Sequence, residues 1–228
     1  MANISHNFMY FAYSRKEMIE FVPTSSRRIL DVGCGFGMFG EILKNKIPEA
    51  VVHGCELSPI AVSEARKKLD MVFEGVFENL EFPPACYDCL VFNDVLEHMR
   101  DPWTALEKAR TLLDPNGRVV ASIPNIRHFP TMWKLVIHGS WDYTEKGTLD
   151  KTHLRFFTKR SIRTLFEESG YEIEILKGIN RYMVNSPDEH KLWRYFKVLQ
   201  AIAPKLFSDM GYLQFAVVAR PIKAQSAM

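Results

Sequence analysis

The stretch 28–40, RILDVGCGFGMFG, constrains the fold more than any other part of the chain. An apolar strand, 28–32, runs straight into glycines at 33, 35, 37 and 40, and a helical pattern follows to about residue 46. Open α/β sheets present a ligand-binding loop at the carboxyl end of a strand in this way. The remaining sequence repeats the alternation. Strands read at 50–55, 71–75, 87–92, 118–123, 171–177 and 213–220, with helices at about 58–69, 101–113 and 158–170 among them. Ser58-Pro59, Asp101-Pro102 and Thr158 supply N-cap chemistry for those helices. The run YDCLVF at 87–92 is apolar in the manner of a strand buried on both faces. The expected architecture is a doubly wound, mostly parallel α/β sheet in one domain over residues 1–228, with the last two strands as an antiparallel edge pair.

Four segments sit outside that alternation. Ser14-x-x-Glu17 is a capping-box pattern and predicts a short helix within an N-terminal cap, 1–25. Asp114-Pro-Asn-Gly117 has the composition of a turn. Residues 124–157 show little periodicity and form a long connection. Residues 188–207 carry apolar residues at near-helical spacing. This insert is expected to cover the fold's own core, with a pocket cover or a dimer contact as alternatives.

Composition narrows the function classes. A chain of 228 residues with 47% hydrophobic and 25% charged residues is large enough for one core and has the balance of a soluble globular protein. A net charge of +2 is too even for a polyanion partner, so no nucleic-acid substrate is expected. No apolar run spans a bilayer and no signal-peptide pattern opens the chain, which predicts a cytoplasmic protein with peripheral membrane contact left open. Cys34, Cys55, Cys86 and Cys89 read as reduced thiols. Cys86 and Cys89 enter a strand at an offset of three, which points them to opposite faces, so no metal site is expected.

The glycine loop admits two ligands. Gly35-x-Gly37-x-x-Gly40, with Glu56 about 20 residues on, satisfies the dinucleotide pattern of a nicotinamide-dependent oxidoreductase. Asp31 argues against it: a carboxylate at the mouth of the loop repels a pyrophosphate and attracts an ammonium group. S-adenosylmethionine has no phosphate, an amino-acid end and a ribose, so an acid at each end of the loop suits it. Glu56 would accept ribose hydroxyls on its two oxygens.

DVGCGFG (31–37), GCELSP (54–59), YDCLVFNDVLEHMRDP (87–102) and RVVASIPN (118–125), in that order, resemble the class I S-adenosylmethionine-dependent methyltransferases over about residues 10–220. The later stretch GTLDKTHLRFFT resembles a subgroup found with glycosyltransferases in cell-surface polysaccharide synthesis. The resemblance implies a Rossmann-like seven-stranded sheet of order 3-2-1-4-5-7-6, with a lid insert, 124–157, after strand 5. It implies Asp31, Gly33, Gly35 and Gly37 around the methionine end, Glu56 on the ribose and Leu57 against the adenine. The family often has an acid after the third strand that binds the adenine amino group. Here Val76 stands in its place, so Phe77 is expected to pack on the adenine. Asn93 should face the cofactor, and Tyr10 or Tyr13 should close over its methionine end.

Methyl transfer to a hydroxyl needs alignment, exclusion of water and removal of a proton. His153, on the long connection, leads as the base, with Asp94 and His98 as further candidates; a neutral imidazole takes a hydroxyl proton near neutral pH. Bracing the helix cap (His98), locking the lid (His153) and accepting local hydrogen bonds (Asp94) are their structural alternatives. Arg155, with Lys151, Lys159, Arg160 and Arg163 nearby, suggests an anionic acceptor, and Trp133, Trp141 and Tyr143 offer faces for a ring. The leading expectation is O-methylation of a small or carrier-linked saccharide. The alternatives are a quinone-type, lipid or amine acceptor, a nicotinamide-dependent oxidoreductase, and a non-catalytic cofactor-binding module.

Overall fold

The computed structural model describes residues 13–181 and 187–222. Tyr10 lies outside them. Seven strands form one sheet: β1 (Arg28–Val32), β2 (Val51–Glu56), β3 (Met71–Glu74), β4 (Tyr87–Asn93), β5 (Leu113–Pro124), β6 (Tyr171–Arg181) and β7 (Tyr212–Pro221). Their order is β3-β2-β1-β4-β5-β7-β6. The first five are parallel, and β7 runs antiparallel to both β5 and β6. This is the expected Rossmann-like topology.

Alternation along the strands builds two cores. Leu30, Val32, Leu90, Phe92, Val119 and Ala121 point to one face, under the Pro102–Leu112 and Lys159–Glu168 helices. Ile29, Val52, Cys89, Val91 and Val120 point to the other, with Phe39 and Leu43 of the Met38–Lys46 helix. Cys89 joins this second core while Cys86 packs against the first, as their offset requires. Burial on both faces explains why β4 is apolar at every position from Cys89 to Phe92.

The caps act as read at three helices. Ser58 Oγ accepts from the Ala61 amide at 3.5 Å, Asp101 Oδ1 from Thr104 at 3.1 Å, and Thr158 Oγ1 from Ser161 at 3.1 Å. Three expectations need correction. The N-terminal capping box does not form: Lys16–Phe21 is a 3-10 helix whose N-cap is Arg15, in the left-handed region at φ 43°. The residues of the expected 114–117 turn are accommodated inside β5. The register passes from Tyr87↔Leu113 to Cys89↔Arg118, so four residues bulge from the ladder. The connection 124–157 contains a helix, Phe129–His138.

That helix gives the C-terminal insert its partner. Phe129, Phe196 and Met210 form a third, smaller core with Met132, Trp133, Leu192 and Trp193 around it. The Pro187–Ile202 helix therefore covers the Phe129–His138 helix. Among the described residues no helix is long and apolar enough to cross a membrane.

Candidate active site

Asp31, Glu56 and Asn93 lie at the carboxyl ends of the adjacent parallel strands β1, β2 and β4. A cleft of about 1880 Å³ opens there, lined by the glycine loop, the ends of these strands, the N-terminal segment and the 146–154 connection.

The loop takes its shape from the left-handed backbone that glycine tolerates. Gly33 has φ +69°, and its amide donates to the Cys55 carbonyl at 2.7 Å. A Cβ there would stand 2.6 Å from Val95 Cγ2. Gly37 does not line the cleft. It caps the Met38–Lys46 helix at φ +74°, where a Cβ would press on Ala65 and Leu69.

Glu56 braces the loop. Its Oε1 accepts from the amides of Leu57 and Ser58 at 2.8 and 2.9 Å, and its Oε2 from the Gly35 amide at 3.0 Å. Three of roughly four lone-pair sites are thus taken. A site on Oε2 remains open to a ribose hydroxyl.

Asp31 is 2% exposed, and its Oδ2 has no hydrogen-bond partner among the described residues. Burial, reinforced by the nearby Glu56 charge, pushes this carboxyl up to about 8. A buried, unsatisfied acid at the wall of a cleft fits the ammonium group of S-adenosylmethionine. Asn93 also lines the cleft, with both amide atoms buried and unpartnered among the described residues. Leu57 lines the cleft and is exposed. Phe77 reaches the wall, but its ring is 3% exposed and stands edge-on to Phe92. The ring packs into the core and still borders the cleft.

The other end of the cleft carries the histidines. His153 Nδ1 lies 3.1 Å from the Thr148 carbonyl, and His98 Nδ1 lies 3.2 Å from the Thr152 carbonyl. A carbonyl only accepts, so both rings place a proton on Nδ1. The two rings meet edge to face at 4.7 Å. Burial lowers both pKa values, and for His98 the neighbouring His153 adds to it, which keeps the pair neutral. Beside them lies Glu97, a residue the sequence reading passed over. It is 1% exposed, neither carboxylate oxygen has a hydrogen-bond partner among the described residues, and His153 Nε2 stands 4.0 Å from its Oε1. Burial is the main cause that raises it to about 8. The Glu97 carbonyl accepts from the Leu154 and Arg155 amides at 2.8 and 3.0 Å, so the same residue fastens the lid.

Asp94 is not free to act as a base. Its Oδ1 accepts from Ser122 Oγ at 2.8 Å and Gln214 Nε2 at 2.7 Å, and the carboxylate pairs with Arg15. Arg15 is a second residue that sequence reasoning missed. It lines the cleft and ties the N-terminal segment across it, with Tyr13, half exposed, against its guanidinium. Arg155 is a further correction. Its guanidinium bonds the Arg100 carbonyl and lies over Trp103 at 5.9 Å, outside the cleft. Trp133 stacks on Tyr195 and Trp141 packs on Phe156; neither they nor Tyr143 line the cleft. Lys134 and Lys146 are the lysines that do.

Comparison with known proteins agrees with this geometry. A family model described as a methyltransferase domain matches residues 7–175. The ubiquinone biosynthesis O-methyltransferase of Aeromonas salmonicida (strain A449) is 29% identical over 166 residues, 68% of this chain and 66% of that protein. The protein of the same name from Xylella fastidiosa (strain 9a5c) is 32% identical over 111 residues, 46% of this chain and 44% of that protein. The chain thus matches two thirds or less of these relatives' own length. Among solved structures, an S-adenosylmethionine-dependent methyltransferase from Archaeoglobus fulgidus superposes with a TM-score of 0.63 at 18% identity, covering 94% of both chains. Another from Mesorhizobium loti gives 0.59 at 17%, covering 90% of this chain and 95% of that one.

Proposed function

The chain belongs to the methyltransferase-domain family, with S-adenosylmethionine as its cofactor, and from that premise we propose that it O-methylates a hydroxyl on a flat, quinone-type or phenolic ring. The cofactor supplies an electrophilic methyl group on a sulfonium. Asp31 would hold its ammonium, Glu56 a ribose hydroxyl, and Asn93 a polar group between the two ends.

The observation that carries the O-directed reading is the Glu97–His153–His98 group in the cleft, with Glu97 buried. An amine acceptor attacks through its own lone pair and needs no such base. A hydroxyl must lose a proton, and an imidazole with Nε2 basic and Nδ1–H held by a carbonyl is oriented to take it. The ring acceptor is favoured over the saccharide because Arg155, the candidate clamp for an anionic sugar, is turned away from the cleft. The names of the curated relatives point the same way.

The test is transfer of a labelled methyl group from S-adenosylmethionine to a panel of dihydroxybenzenes, nucleotide sugars and amines. Labelling of the phenolic hydroxyl is expected, with kcat reduced about 10²- to 10⁴-fold in His153→Ala. Labelling of amines alone, or an undiminished His153→Ala enzyme, would overturn the O-directed reading.

A further inference from the structure

Lys108 directs its whole ammonium group at one turn of the cleft wall. An ammonium has three protons to donate. Its Nζ donates to the Phe77 carbonyl at 2.8 Å, to the Glu78 carbonyl at 3.0 Å and to the Leu80 carbonyl. It also lies 5.2 Å from the centre of the Phe77 ring and 5.6 Å from that of Phe82. The lysine stands on the Pro102–Leu112 helix, whose Ala105, Leu106, Ala109 and Leu112 are buried in the first core. Close packing there gives the side chain a rigid base. Burial lowers its pKa, and the carbonyl dipoles offset the cost of taking the charge from water.

The turn it holds is part of the cofactor cleft. Gly75, Val76, Phe77 and Glu78 line that cleft. The Gly75 amide donates to the Glu56 carbonyl at 2.9 Å, so the turn starts from the backbone of the ribose acid. Sheet order shows what the turn faces. Asp31 is on β1, Glu56 ends β2, and β3 lies beyond β2. A cofactor with its ammonium at Asp31 and a ribose hydroxyl at Glu56 sends its adenine toward the segment that follows β3. The 3-10 turn Phe77–Asn79 has little to fix it from within: the Asn79 amide donates to the Val76 carbonyl at 2.9 Å and the Leu80 amide to the Phe77 carbonyl at 3.3 Å. Lys108 gathers three of its carbonyls on one atom.

We propose that Lys108 is a positioning residue for the cofactor: from the Pro102–Leu112 helix it holds the 75–80 turn in place as the adenine wall of the cleft. It acts through the carbonyls of Phe77, Glu78 and Leu80 and through the Phe77 ring, and it does not itself touch the ligand. The inference rests on S-adenosylmethionine as cofactor and is independent of the acceptor. Without the ammonium the turn loses its common anchor, and the wall against the adenine shifts. The methionine end, at Asp31, belongs to β1 and keeps its place. The loss should therefore fall on the adenosine half of the ligand alone.

The test is calorimetric titration of the full chain with three ligands. S-adenosylhomocysteine carries both halves, methylthioadenosine lacks the amino-acid end, and S-ribosylhomocysteine lacks the adenine. Lys108→Met keeps the apolar stem and removes the donors. It should weaken S-adenosylhomocysteine and methylthioadenosine by the same factor, about 10- to 100-fold, and leave S-ribosylhomocysteine unchanged. Lys108→Arg, which restores several donors, should recover most of the loss. Asp31→Asn should show the opposite pattern, with methylthioadenosine spared. Equal loss for all three ligands in Lys108→Met, or a Lys108→Met chain that no longer folds, would make Lys108 a residue kept for folding and overturn the proposal. Unchanged affinity for all three would overturn it as well. Failure of the wild type itself to bind S-adenosylhomocysteine would instead overturn the cofactor premise.

Discussion

Asp31 folds as an acid whose pKa, about 8, lies far above its ordinary 3.8. Between those values the folded chain holds a proton that the unfolded chain has lost. Its contribution therefore favours folding below about pH 4 and is lost as pH rises through about 8. A ligand ammonium reverses the preference, because it binds the carboxylate. Below pH 8 binding must expel the proton, so affinity for S-adenosylhomocysteine should rise between about pH 6 and 8 by up to about tenfold per unit and then level off. Calorimetry across that range checks this. Asp31→Asn should bind more weakly and without the slope, and a flat wild-type profile would refute the assignment. Gly33 makes a second prediction at this scale. Gly33→Ala meets a strained φ, worth about 1–2 kcal/mol, and a clash with Val95. The double variant with Val95→Ala should recover the clash alone, so denaturant midpoints should rank wild type, double variant, single variant.

Elements were legible where one rule dominated. Strands buried on both faces announced themselves as apolar runs, and caps were visible because Ser58, Asp101 and Thr158 act within their own turn. Thr158→Ala should therefore cost about 1 kcal/mol in a denaturant titration. The Phe129–His138 helix was hidden for the opposite reason. Its N-cap, His128, makes no side-chain cap hydrogen bond, and Phe129 is its one buried residue, so neither a cap nor a buried face announces it. It is held by the distant Pro187–Ile202 helix, and it leaves Val136 and Ile137 exposed. The loop end of the cleft was readable because Asp31 and Glu56 sit at fixed offsets from the glycine loop. The acceptor end was only half readable. His153 and His98 are conspicuous, but the burial of Glu97 comes from a lid more than fifty residues away closing on its carbonyl. Arg155 was misread because a guanidinium in a lid can serve the ligand or the lid. Here it fastens the lid to Arg100. Arg155→Ala should speed amide exchange over residues 147–156 while S-adenosylhomocysteine affinity stays unchanged; unchanged exchange would remove its role as a fastener.

At the scale of the whole molecule the cleft is where separately built parts meet. β1, β2 and β4 supply the floor, the glycine loop and Glu56 one wall, and the lid, pinned to Glu97, the other. The N-terminal segment crosses through the Arg15–Asp94 pair, and Asp94 in turn holds Gln214 on β7. Gln214 Oε1 accepts from Asn180 of β6, which reaches back to Glu17, so the antiparallel edge is tied to the same strap. A ligand that bridges these parts binds the folded chain and has nothing to hold in the unfolded one. S-adenosylhomocysteine at a hundred times its dissociation constant should then add about 2.7 kcal/mol of stability. For a chain of this size that is a rise of about 5–10 °C in Tm. Glu56→Ala is a poor control, because Glu56 also holds three loop amides and its loss should lower Tm with no ligand present. Asp31→Asn removes a buried acid that costs stability, so its ligand-free Tm at pH 8 should match or exceed the wild type while the ligand-induced rise shrinks. Differential scanning of the two proteins, with and without ligand, separates a carboxylate kept for binding from one kept for folding. An Asp31→Asn protein with lower ligand-free Tm and an undiminished rise would place Asp31 in the second class.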